Sequence, residues 1–322
     1  MFFIKKTYFF KTLLAYILLL RKKFKKLGYY SIKDLENLTG VKAHTIRMWE
    51  QRYNILQPER TETNIRLYDA EGLKQMLNVA LLNQHGYKIS HIAQMSNEEL
   101  RRKVMDTVSQ VHNHQDQISG LTVAMIELNE EQFETIIQNN FRESGFEETI
   151  VKIIYPFLVR VGMLWTTDSI NPAQEHFITN LIRNKIISAI DQLVYKPASN
   201  QKKFMLFLPE GELHEIGLLF SHFVVKKRGH KVFYLGQSLP FEDLRTVHQT
   251  HQPDYIFTVI TSVPGSDAIQ NYVDMLSKSF PQTNILLTGL QVVGQDITTA
   301  RNSTIILSFQ NFIDFIDSIT SK

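Results

Sequence analysis

Between residues 202 and 322 the sequence alternates strand-like apolar runs with helix-like runs. Strands are expected at Phe204–Leu208, Lys231–Leu235, Tyr255–Ser262, Asn284–Thr288 and Thr304–Leu307. Helices are expected at Ile216–Lys227, Phe241–His248, Asp267–Ser279 and Phe312–Ile319. This alternation is the strongest constraint on the fold, because parallel neighbours in a sheet need long crossovers and helices supply them. It implies a parallel, doubly wound sheet with right-handed connections. Open sheets of this kind bind ligands outside the carboxyl ends of their strands.

The first of those strand ends carries Glu212-Leu213-His214-Glu215-Ile216-Gly217. A lone histidine on such a loop is more often a solvated residue or a helix cap than a ligand. Two neighbours favour the ligand reading. Gly217 lies where a side chain would obstruct a large planar ligand, and the Glu212 carboxylate is in reach of the second imidazole nitrogen, where it would fix the tautomer.

The other end of the chain reads as a nucleic-acid-binding head. Ser31 is a natural helix N-cap with Asp34 at the third position, Ile32, Leu35 and Leu38 follow at helical spacing, and Gly40 ends the helix. A second helix spans Ala43–Tyr53, with Ile46 and Trp49 inward and His44, Thr45, Arg47 and Arg52 outward. Two short helices around a glycine-containing turn make a helix-turn-helix, whose second helix enters the major groove. The polar stretch Pro58–Asn64 followed by Ile65-Arg66-Leu67-Tyr68 suggests a two-strand wing. Further amphipathic segments follow at Ala70–Asn83 and Ile89–Met95.

From about residue 105 to residue 197 the pattern is helical throughout. Glu127–Asn139, Thr149–Trp165 and Gln174–Tyr195 carry apolar residues at helical spacing, including Phe177, Leu181, Ile186, Ile187, Ile190 and Leu193 in the last, and short loops between them make a bundle. The chain has 322 residues, enough for two or three domains. Its net charge of +3 excludes a polybasic binder, so any nucleic-acid surface must come from local clustering. With no cysteine, disulfides, thiolate zinc sites and cysteine nucleophiles are excluded, and the composition suits a reducing cytoplasm. Residues 1 to 26 hold eight Lys/Arg and no acid, and their apolar stretch Thr12–Leu20 is too short to span a membrane. We read this extension, residues 1–28, as an over-extended start, with a basic membrane-surface helix as the alternative.

The residues of the head resemble a family. Thr45-Ile46-Arg47, Trp49-Glu50, Arg52-Tyr53, Arg60, Asn64, Arg66, Tyr68 and Gly86-Tyr87-Lys88-Ile89 fall in the order and spacing of a MerR-type winged helix-turn-helix over residues 29–98. The resemblance implies contact with double-stranded DNA through His44, Thr45 and Arg47 on the recognition helix, Arg52 and Tyr53 at its end, and Arg60, Arg66 and Tyr68 from the wing. Glu212-x-His214-x-x-Gly217 resembles the Asp-x-His-x-x-Gly signature of cobalamin-binding domains, in which the histidine is the lower axial ligand to cobalt. Trp165, nine residues, then Glu175-His176 resembles the cobalamin-sensing MerR regulators of the CarH/LitR type. There a helical cap covers the upper face of adenosylcobalamin, and Trp165, Glu175 and His176 would lie near the upper axial group. By the same resemblance Ser262 would meet the nucleotide tail and Gly289 would allow close approach. Thr288 adds a side chain beside it, and Thr166 stands where light-sensing members have a histidine.

The expected protein is a multidomain α plus α/β chain. A winged helix-turn-helix (29–98) is followed by a helical-bundle cobalamin cap (105–197) and a flavodoxin-like, Rossmann-like parallel α/β domain (202–322). The expected function is a cytoplasmic transcriptional regulator, a homo-oligomer (dimer or tetramer) without catalytic activity or integral membrane role, whose operator binding is controlled by cobalamin, preferably the adenosyl form. Two rivals are a regulator whose cobalamin fold serves only oligomerisation or protein partners, and a corrinoid-dependent methyltransferase module.

Overall fold

A computed structural model describes residues 29–61, 63–110, 114–166, 169–194, 196–265 and 268–321. The basic N-terminal extension lies outside these residues. The chain packs as two compact units, one extending to Ile178 and the other beginning at Thr179.

In the first unit, β1 (Tyr30–Ser31) leads into α1 (Ile32–Thr39) and α2 (Ala43–Tyr53), and the wing consists of β2 (Glu59–Arg60) and β3 (Arg66–Tyr68). The capping box expected at Ser31 is formed. The Ser31 amide donates to Asp34 at 2.8 Å and the Asp34 amide donates to the Ser31 hydroxyl at 3.3 Å. Gly40 ends α1 with φ of 73°, a left-handed conformation that favours glycine. Strand β1 was not expected. Its two residues are too short for a periodicity signal, yet they pair antiparallel with β3 and complete a sheet of order β1-β3-β2.

Helices α3 (Ala70–Gln84), α4 (Ile89–Ile92), α5 (Asn97–Gln110), α6 (His114–Glu127) and α7 (Glu130–Ser144) follow. Helix α8 (Phe146–Thr149) then passes through one π turn (Ile150–Ile154) into α9 (Tyr155–Thr166), which brings Trp165 close to the helix end. Head and bundle share contacts within this unit. Arg160 of α9 donates to the Leu38 carbonyl at 2.6 Å, Lys74 of α3 pairs with Glu127 of α6 at 3.6 Å, and His85 lies 2.9 Å from Asp116. The Arg160 contact satisfies one of the carbonyls that the end of α1 would otherwise leave unpaired.

Helix α10 (Pro172–Asp191) opens with reciprocal hydrogen bonds between Asn171 and Gln174 at 3.0 and 3.1 Å. Its buried stripe is Ile178, Ile182, Ile186 and Ile190. Phe177 and Leu181 are half-buried and Ile187 is exposed, so the buried face is rotated from the one expected. The unit boundary falls inside this helix rather than at residues 197–202. Its second half is tied to the α/β unit, where Lys226 donates to the Ile190 carbonyl at 3.0 Å and Arg183 pairs with Glu215.

The second unit contains β4 (Lys203–Pro209), α11 (Ile216–Lys227), β5 (Lys231–Leu239), α12 (Phe241–His251), β6 (Tyr255–Val259), α13 (Ile269–Ser279), β7 (Asn284–Thr288), β8 (Ser303–Ile305) and α14 (Phe309–Thr320). All five strands are parallel, in the order β5-β4-β6-β7-β8. This is the flavodoxin-like order anticipated from the sequence. The centre of β4, Phe204–Leu208, is fully buried between the helical layers. Strand β4 is flanked by β5 and β6, so the chain leaves its carboxyl end at the point where strand order reverses.

Candidate functional site

At that reversal point Glu212 is completely buried (0% exposed) and receives hydrogen bonds from two loops. From its own loop, the amides of Leu213 and His214 donate to Oε1 at 3.0 and 3.1 Å. From the loop after β6, the amides of Thr261, Ser262 and Val263 donate to Oε2 at 3.0, 2.6 and 3.2 Å. The Ser262 hydroxyl adds a further donor, 3.1 Å from Oε2. Nδ1 of His214 lies 2.5 Å from Oε1, while the His214 side chain is 63% exposed. Burial alone would raise the Glu212 carboxyl. Hydrogen bonds from His214 and from the backbone of Ser262, His214 and Val263 outweigh it and hold the group well below the usual carboxylate range. The result is a fixed anion behind an exposed imidazole, which orients the ring through its Nδ1.

The Ser262 hydroxyl donates to Glu212 while the residue stays exposed at the rim. At Gly217 a Cβ would meet Phe309 at 3.4 Å and Val259 at 3.7 Å. Both are ordinary contact distances, on the face of α11 that packs toward the sheet and α14. Gly289 is a true close-approach glycine, but the approaching group is backbone, with a Cβ position 2.4 Å from the Ile260 carbonyl oxygen and φ of 108°. The Thr288 hydroxyl donates to the Ile306 carbonyl at 2.8 Å and so joins neighbouring strand ends. Sequence reasoning missed Leu213, Leu290 and Leu307, large apolar side chains left exposed just beyond the carboxyl ends of β4, β7 and β8. Their signal was a leucine two to four residues past a strand end, where polar turn residues are usual.

In the other unit, Trp165 is 46% exposed near the end of α9. Glu175 and His176, in the first turn of α10, pair at 2.7 Å, with the carboxylate the more buried of the two. The side chain of Thr166 lies outside the described residues.

The head offers an exposed basic edge. His44, Arg47 and Arg52 project from α2, Thr45 and Tyr53 are half-buried on it, and Arg60 in the wing donates to Asn64 at 2.6 Å. Arg66 and Tyr68 do not belong to that edge. Tyr68 is only 2% exposed and donates to Glu50 at 3.2 Å, and Arg66 Nε donates to both Glu50 oxygens at 3.1 Å. Burial and the Glu50 charge push the Tyr68 phenol up, keeping it a hydrogen-bond donor. Both residues clamp the wing to the recognition helix. Glu50, on α2, is the residue missed here, because its two partners lie 16 and 18 residues on, in β3.

Among the described residues no group of three or more His, Cys, Asp or Glu side chains is placed to hold a metal ion, and no helix is long and apolar enough to cross a membrane. Residues 30–99 match the MerR HTH family regulatory proteins, and residues 117–188 match the B12 binding domain family. The chain is similar to the HTH-type transcriptional repressor CarH of Myxococcus xanthus, at 22% identity over 79% of this chain and 86% of that protein. It is also similar to the repressor CarA of the same organism, at 26% identity over 70% of this chain and 74% of that protein. Among solved structures, the monomethylamine corrinoid protein of Methanosarcina barkeri aligns with a TM-score of 0.48 at 12% identity, covering 68% of this chain and 99% of that one.

Proposed function

The chain joins a MerR-type helix-turn-helix domain to a B12-binding domain and is homologous to two transcriptional repressors; we propose that it is a DNA-binding transcriptional regulator controlled by cobalamin. The observation that carries this reading is the Glu212–His214 pair at the strand-order reversal. Its donor set fits a corrinoid. Cobalt in a corrin brings its own equatorial nitrogens and asks the protein for a single imidazole. With Nδ1 engaged by Glu212, Nε2 of His214 is the nitrogen that would ligate it, and Leu213, Leu290 and Leu307 supply apolar surface for the macrocycle. When bound, the group would supply the cobalt–carbon chemistry to which the regulator responds. We assign the adenosyl form, because Glu175 offers an acceptor for ribose hydroxyls beside His176, and the exposed Trp165 offers an apolar ring near the end of α9. Cofactor binding to one assembly state in preference to another would align several heads on an operator. Loss of the cofactor, by dissociation or light, would release it.

Two measurements test the halves of this reading. After incubation with adenosylcobalamin in the dark and desalting, the wild-type protein should retain cofactor with the visible spectrum of a histidine-ligated, base-off form. His214→Ala should lose that spectrum, and an identical spectrum in the variant would remove His214 as the ligand. Arg47→Ala should weaken operator binding by about 1–3 kcal/mol if the guanidinium reads a base edge. If it instead contacts phosphate, the salt slope should fall by about one unit with uniform weakening across sequences. Unchanged affinity and slope would take Arg47 off the interface.

A further inference from the structure

His214 lies between two buried carboxylates, Glu212 and, at 8% exposure, Glu215. Glu212 is held within the sheet by the loops after β4 and β6. Glu215 is held differently. Its Oε1 pairs with Nε of Arg183 on α10, and its Oε2 accepts from the Tyr234 hydroxyl of β5 at 3.3 Å. The Tyr234 ring in turn stacks on His222 of α11, with centroids 5.1 Å apart.

The backbone of Glu215 closes the turn that presents His214. Its amide donates to the Leu213 carbonyl at 2.9 Å, and its own carbonyl accepts the Leu219 amide at 2.9 Å, starting α11. Gln237 of β5 also donates to the Leu213 carbonyl, at 2.7 Å. Arg183 reaches this turn from α10, whereas Tyr234 and Gln237 reach it from β5 and Ser262 from the loop after β6. A buried carboxylate deprived of its cation must rotate toward water or draw water in. At position 215 either response acts one residue from the imidazole, in the turn whose backbone presents it.

We propose that Arg183 is a positioning residue for His214, acting through Glu215. Its spectroscopic consequence rests on the cobalamin reading above, whereas its effect on the turn does not. The test compares Arg183→Met and Arg183→Lys with the wild-type full chain. In hydrogen exchange of the cofactor-free protein, Arg183→Met should speed exchange at the Leu213 and His214 amides on the order of tenfold, with β4 unchanged. The lysine variant should recover part of the protection. Loaded with adenosylcobalamin in the dark, Arg183→Met should show a smaller histidine-ligated fraction than wild type. Unchanged exchange at Leu213 and His214 would overturn the proposal. So would a rise shared equally by β4, which would mark a general stability role, or faster exchange with a wild-type spectrum. A wild-type protein that takes up no cobalamin would instead defeat the function proposed above, and the exchange comparison alone would then decide the role of Arg183.

Discussion

Glu212→Ala is expected to destabilise the α/β unit by about 3–5 kcal/mol, the range for removing one partner from a buried charged network. The carboxylate accepts from the amides of Leu213, His214, Thr261, Ser262 and Val263, from the Ser262 hydroxyl, and pairs with His214. Alanine would leave all of these donors converging on a void, each losing its acceptor. Glu212→Gln keeps the shape but turns an amide NH2 toward one set of donors, so a smaller loss is expected. Urea denaturation of the full chain, followed by a probe in the α/β unit, measures both. A Glu212→Ala midpoint within error of wild type would mean that water replaces the carboxylate without penalty. The pH dependence has a definite sign. The folded carboxyl is depressed, so its contribution is complete above the ordinary glutamate value of about 4.3 and is lost as pH falls through the lower folded value. Acid therefore destabilises wild type more than Glu212→Gln below that point, where the unfolded state binds the extra proton.

Gly289→Ala is expected to cost roughly 3 kcal/mol or more, combining backbone strain at positive φ with overpacking. The new Cβ would fall 2.4 Å from the Ile260 carbonyl oxygen and 2.7 Å from its carbon and nitrogen, with φ at 108°. No side-chain rotation relieves this, since the obstructing atoms are backbone. They are also tied in place. The Ile260 amide donates to the Thr288 carbonyl at 2.7 Å, and the Ile260 carbonyl accepts the Gln291 amide at 3.1 Å. Relief must shift the end of β6, and with it the Thr261–Val263 amides that hold Glu212. Gly265→Ala, where an added Cβ meets nothing within 4 Å, is the matched control and should be near neutral. Thermal melting of the two variants checks the contrast. Equal melting temperatures would show that the β6–β7 crossing is not rigid.

Much of the molecule is written in short-range pattern. The capping box at Ser31 and Asp34, the inward Ile46 and Trp49, and helix α11 at Ile216–Lys227 follow from neighbours within a few residues of one another. The parallel, doubly wound sheet follows from the βα alternation, and its flavodoxin-like order is the one the resemblance to cobalamin-binding domains implies. The Glu212–His214 hydrogen bond was accessible for the same reason, with its partners two residues apart.

What the sequence did not specify is which distant groups complete each local device. Ser262 reaches Glu212 across 50 residues, Arg66 reaches Glu50 across 16, and Arg183 reaches Glu215 across 32. Tyr68 meets the carboxylate of Glu50 and Ser262 that of Glu212, partners that no local pattern marks. Periodicity by itself determined where the strands and helices of the α/β unit run and which loop carries the histidine, since those depend on local sterics and on one apolar face per element. Only the tertiary structure decided what surrounds that histidine. A buried charge takes its donors from whichever backbone the fold brings within hydrogen-bonding distance, and separation along the chain carries no record of that.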